Sequence, residues 1–124
     1  MERKINVSLR IKPLMQPELR DERSKNLWAT LSDTSVLDKR TGQAYHFDKV
    51  FGDAASTEAI FDSQIRDIVH AALNGINQTV FVYGQTSSGK THTMKGYQHQ
   101  RGKGAGTGDQ GLIPLSIREI FEHI

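Results

Sequence analysis

Polar and apolar residues alternate without a break from Ile5 to Lys12. Ile5, Val7, Leu9 and Ile11 are set against Asn6, Ser8, Arg10 and Lys12. That period of two predicts a half-buried strand, and Pro13, which has no N–H to donate, predicts its end. Residues 16–26 are mostly charged and polar and read as a surface loop. Short strands are expected at Trp28 to Leu31, Ser35 to Leu37 and Tyr45 to Phe51, with turns at Asp33 and Thr41-Gly42. The period then lengthens. Ile60, Phe61, Ile65, Ile68, Val69, Ala72 and Leu73 recur at spacings of three and four, one face of an amphipathic helix. Ser56 or Thr57 is placed to cap its start, and Gly75 to close its end in the left-handed region. Thr79 to Tyr83 reads as a buried strand, β-branched and aromatic. A short helix is expected up to Met94. Another runs from Ile113 to Ile124, with Ile113, Ile117, Ile120, Phe121 and Ile124 as its apolar stripe and Pro114 in its first turn.

Composition narrows the class. The chain has 124 residues, 36% of them hydrophobic, which suits one small domain. Sixteen Lys and Arg against fourteen Asp and Glu leave a net charge of +2. Three of those cations and one acid fall between Lys95 and Gly111, so the rest of the chain is balanced and gives no basic field for nucleic acid. With no cysteine there are no disulfides, thiolate metal sites or cysteine nucleophiles. The longest strongly apolar run, Val80 to Tyr83, is far short of the ~20 residues of a membrane helix. Six of the eleven glycines lie between 95 and 111, which predicts a mobile loop there. The histidines His46, His70, His99 and His123 show no metal-ligand spacing. The acidic pairs, such as Glu58 with Asp62, read as solvated faces.

One segment carries chemistry. Gly84-Gln85-Thr86-Ser87-Ser88-Gly89-Lys90-Thr91 fits G-x-x-x-x-G-K-T, the phosphate-binding loop, set between an expected strand and an expected helix. Glycines at both ends let backbone N–H groups turn inward around phosphate oxygens, and the following helix aims its positive end at the same anion. Lys90 would bring a charge to the β- and γ-phosphates, and the Thr91 hydroxyl would ligate Mg²⁺.

Tyr83 to Met94 closely resembles the phosphate loop of kinesin motor domains. Other segments agree in order: Arg10-Ile11-Lys12-Pro13 with the R-x-R-P strand ending, and Phe47-Asp48-Lys49-Val50-Phe51 with F-D-x-V-F. Asn77 and Thr79 match the N-G-T entry to the phosphate-loop strand, and Gly111 to Pro114 matches G-[IL]-I-P. The opening residues, Trp28 and the run Asp67 to Leu73 look most like the centromere-associated (CENP-E-like) and related plant class. The resemblance implies a P-loop NTPase fold of α/β class, with a central mixed sheet flanked by helices. It implies ATP and Mg²⁺ as ligands, microtubules as the track, and a cytoplasmic, cytoskeletal location. Arg10, Pro13 and His92 would lie against the adenine. Lys12 departs from the second arginine of the pattern and offers no planar guanidinium to stack. Gln78 replaces the usual glycine.

Nothing in the chain resembles the switch I pattern N-x-x-S-S-R-S-H or the switch II pattern D-L-A-G-x-E. Residues 1–124 therefore read as the amino-terminal third of a motor domain, with no catalytic residue of its own. Its most apolar strands are expected to lack their sheet partners. Two alternatives stay open, a non-enzymatic nucleotide-binding module and another P-loop NTPase.

Overall fold

The computed structural model describes residues 5–13, 27–86, 88–96 and 110–124. They divide into two compact units, one within residues 1–54 and one within 55–124.

The first unit is built of strands. β1 (Ser8–Arg10) pairs in parallel with β5 (Lys49–Phe51), Leu9 opposite Val50. Pairing reaches one residue beyond each end of β1: Asp48 N–H donates to Val7 O, and Ile11 N–H to Phe51 O, both at 2.9 Å. The strand is shorter than the alternation predicted: Ile5 and Val7 are 84% and 49% exposed, and pairing stops at Ile11, two residues before Pro13. β2 (Trp28–Ser32), β3 (Ser35–Asp38) and β4 (Gln43–His46) form an antiparallel meander with β3 in the middle. The central strand is the buried one, with Val36 only 1% exposed. Both expected turns are present. Ser32 Oγ accepts from Thr34 N–H in the first, and Thr41 Oγ1 from Gln43 N–H in the second, each at 3.2 Å.

The expected strand from Tyr45 to Phe51 is in fact two strands in two sheets. Asp48 divides them. Its carboxylate accepts from Val7 N–H at 2.8 Å while its own N–H donates to Val7 O. Those two bonds open the ladder with β1, while on the meander side Phe47 N–H donates to Thr34 O and Val50 N–H to Asp33 O. The α/β class holds, but the described strands make two small sheets and not one central one.

The second unit is helical. α1 (Thr57–Ile60) runs through a π-helical turn (Phe61–Ile65) into α2 (Arg66–Leu73). Ser56, not Thr57, is the cap: its Oγ accepts from Ala59 N–H at 3.1 Å. In the π turn Arg66 N–H reaches back five residues to Phe61 O. At the far end Gly75 N–H donates to Ala72 O and Ile76 N–H to Ala71 O, with Gly75 at φ +86. That is a Schellman motif, and a side chain at Gly75 would be strained by the left-handed backbone.

α3 (Lys90–Lys95) and α4 (Leu112–His123) complete the unit. Ile60, Phe61, Ile65 and Val69 are buried with Leu112 and Leu115, each removing roughly 1.5–3 kcal/mol of apolar surface from water. The face that α4 buries differs from the expected one. Leu112, Leu115 and Glu119 are inside, while Ile113, Ile117, Phe121 and Ile124 are 44–87% exposed. The helix is apolar on two sides, and α1 and α2 cover only one of them. Residues 79–83 also depart from expectation. No strand ladder includes them among the described residues, and Phe81 and Tyr83 are 81% and 95% exposed. β-Propensity alone does not make a strand; the backbone also needs a neighbour to bond.

The glycine-rich loop lies outside the described residues except at its ends. There Gly96 and Gln110 form an antiparallel bridge. No described helix is long and apolar enough to cross a membrane.

Candidate nucleotide-binding site

The loop from Gly84 to Thr91 closes tightly on itself. Ser88 N–H donates to Gln85 O at 3.0 Å. A Cβ built at Gly84 would overlap Ser88 Oγ and touch Lys90 Cγ, so a side chain there would force Ser88 to turn away. Gly89 stands at φ +99 as the N-cap of α3, and this left-handed residue turns the chain from loop into helix. Thr93 N–H then donates to Gly89 O at 2.9 Å, the first helical bond of α3. Of the two motif glycines, Gly89 is the one that the backbone angle demands.

Thr86, Gly89, Lys90, Thr91 and His92 line a single cleft of about 340 Å³. Lys90 and His92 are half-buried and Thr91 is exposed. A second groove of about 300 Å³ runs between Val80, Phe81 and Val82 and the side of α3 bearing Lys90, Thr91 and Met94. The residues present fit a phosphate tail. The cleft offers an ammonium, a hydroxyl and the N-terminal end of a helix, and the glycine at its base leaves a space that a side chain would fill. A hydroxyl oxygen such as that of Thr91 is a suitable ligand for the hard Mg²⁺ ion.

Five of the expected site residues line this cleft. Thr86, Gly89, Lys90, Thr91 and His92 share the cleft, while Gly84, Gln85 and Ser88 form the turn beneath it. Ser87 lies outside the described residues. Arg10, half-buried in β1, and Pro13, exposed just after it, belong to the first unit.

A second constellation escaped the sequence reading. His70 on α2 meets Glu119 and His123 on α4. His70 Nε2 donates to Glu119 Oε1 at 2.7 Å, and His123 Nδ1 lies 3.6 Å from the same oxygen. The two imidazoles pack edge to face, 4.4 Å between centroids. Arg66 Nε is 3.4 Å from Glu119 Oε1. The bond from His70, with the nearby charges of Arg66 and His123, holds the Glu119 carboxyl below its usual range despite its burial. Chain spacing hides the group, since His70 and Glu119 are 49 positions apart. The one available signal was a carboxylate four residues before a histidine, on a helix whose other side is apolar.

The cleft and its loop define a P-loop nucleotide-binding module of α/β class. The model of the kinesin motor domain matches residues 10–124, and the chain belongs to the kinesin motor family. It is similar to Kinesin-like protein KIN-7A of Oryza sativa subsp. japonica, 42% identical over 99% of this chain and 12% of that protein. It is similar too to Kinesin-like protein KIN-7D, mitochondrial, of Arabidopsis thaliana, 41% identical over 97% of this chain and 10% of that one. Among solved structures, that of a fast kinesin superposes with a TM-score of 0.79 at 30% identity, covering 95% of this chain and 32% of the other. The chain thus spans about a tenth of the length of these curated relatives and a third of the solved motor.

Proposed function

We propose that this chain is the ATP-binding part of a microtubule motor, and that residues 1–124 form the N-terminal part of its motor domain. In this reading Gly84 to Thr91 wraps the phosphates of ATP, Lys90 neutralises the β- and γ-phosphates, and Thr91 ligates Mg²⁺. Arg10, Pro13 and His92 contact the base. Bound Mg²⁺ would screen the phosphate charge and hold the tail in place. Lys90 and the loop amides orient the same oxygens. The observation that carries the reading is the cleft itself, with Lys90 and Thr91 in the first turn of a helix entered through left-handed Gly89, in a member of the kinesin family.

Within the family we place the chain in the class of the plant KIN-7 kinesins. The relatives named above support the plant side of the expected class and do not single out its centromere-associated members. By the same reading the whole protein works on microtubules of the cytoskeleton.

Binding and turnover separate in this account. The loop groups that hold phosphate are local, whereas residues 79–83, which lead into the loop, have no strand partner among those described. The test compares steady-state ATP hydrolysis, with and without microtubules, by the 124-residue chain and by a longer polypeptide carrying switch I and switch II motifs. Microtubule-stimulated hydrolysis is expected from the longer polypeptide alone. Stimulated hydrolysis by the 124-residue chain would refute the division of labour. A longer polypeptide that hydrolyses ATP unchanged after Lys90→Ala would refute the site.

A further inference from the structure

We propose that His70, Glu119 and His123 form a binding site for a late first-row transition-metal dication, Zn²⁺ foremost, bridging α2 and α4. The donor atoms of these three residues all lie within 4.8 Å of one another. Zinc bound at about 2.0–2.1 Å to nitrogen and oxygen needs tetrahedral ligand separations of about 3.3 Å. The 3.6 Å between His123 Nδ1 and Glu119 Oε1 is already near that span, the 2.7 Å from His70 Nε2 must open by about half an ångström, and His123 Nδ1 must give up the bond it donates to Glu119 O at 3.1 Å. The ion would take the place of the proton now shared between His70 and Glu119. Two imidazole nitrogens with one carboxylate suit zinc, cobalt, nickel or copper and disfavour Mg²⁺ and Ca²⁺, which require oxygen ligands.

The surroundings tolerate the charge. Arg66 is the cation closest to the carboxylate, and it is also paired with Asp62 at 2.7 Å. The two carboxylates and one guanidinium of this group carry a net charge of −1 before the imidazoles are counted. Glu119 is buried, yet the side chains of His70 and His123 are 38% and 45% exposed, so an ion can enter from solvent and keep water as a fourth ligand. The apo arrangement is also imperfectly satisfied. Glu119 Oε1 faces three nitrogen groups, and buried Arg66 Nε has no hydrogen-bond partner among the described residues.

The test titrates the nucleotide-free chain with Zn²⁺ against a chromophoric chelator, and repeats the titration on His70→Ala, His123→Ala and Thr91→Ala. The proposal expects one tight equivalent in the unaltered chain and in Thr91→Ala, weakened at least about tenfold by loss of either histidine. Equal affinity in all four proteins, or no binding by the unaltered chain, would overturn it. Because a histidine variant could lose helix packing as well, Co²⁺ is added to the unaltered chain and the imidazole proton resonances are followed. Paramagnetic shifts confined to His70 and His123 are expected. Shifts centred on His46 or His92 instead would also overturn the proposal.

Discussion

Two stretches of this molecule have opposite fates, and the one poorer in strand-forming residues is the one that pairs. Residues 35–38 lie between partners on both sides, with Val36 1% exposed. Residues 79–83 are at least as β-branched and aromatic, yet no ladder includes them and Phe81 is 81% exposed. The difference is partner supply. Both neighbours of β3 follow or precede it within a tight turn, so little loop entropy opposes pairing. For residues 79–83 no neighbouring strand occurs among the described residues. Strand propensity states a preference for a pleated, half-buried surface, and only a partner makes that surface exist.

The largest effect expected from this contrast is in hydrogen exchange. Amides of Val36 and Tyr45 should exchange orders of magnitude more slowly than those of Val80 and Val82. Comparable protection in the two stretches would break the comparison. Mutation sharpens it. Phe61→Ala should destabilise the helical unit by about 3–5 kcal/mol in urea unfolding, because Phe61 is 2% exposed inside the core. Phe81→Ala, in the open stretch, should change stability by less than about 0.5 kcal/mol. Gly75→Ala should cost about 1 kcal/mol, since φ +86 strains any side chain there.

The smallest effect is one of pH. Asp38, buried at the end of β3, accepts from Arg40 Nε at 3.1 Å and from Arg40 N–H at 3.0 Å. The Arg40 side-chain bond leads in holding its carboxyl below the ordinary value of 3.8, despite burial. The folded state therefore binds this proton less readily than the unfolded chain. The stabilisation is fully present above that ordinary value and is lost as pH falls through the lower, folded one. Arg40 stacks 5.7 Å from the Trp28 ring, the chain's one tryptophan, so its fluorescence should report the change in acid. Asp38→Asn should remove that transition.

What the sequence made legible was local. The cap at Ser56 or Thr57, Gly75 as terminator and the two meander turns each depend on residues within a few positions. The G-x-x-x-x-G-K-T segment was legible for the same reason, because its glycines and Lys90 form one short segment. Three features were not. Asp48 switches sheets through Val7, 41 positions away. α4 is apolar on two sides, and a helical period cannot say which side meets α1 and α2. Glu119 occupies a polar position on α4 and is buried only because His70 and Arg66 come to meet it. Each of these is fixed by a distant partner.

The central claim is that the short segment Gly84 to Thr91 is a working phosphate site. Equilibrium binding of Mg·ATP to the chain and to Lys90→Ala tests it most directly. The account predicts saturable binding that requires Mg²⁺ and weakens about ten- to hundredfold in Lys90→Ala, as loss of a charged contact of about 1.5–3 kcal/mol implies. Equal binding by the two proteins, or binding indifferent to Mg²⁺, would contradict it.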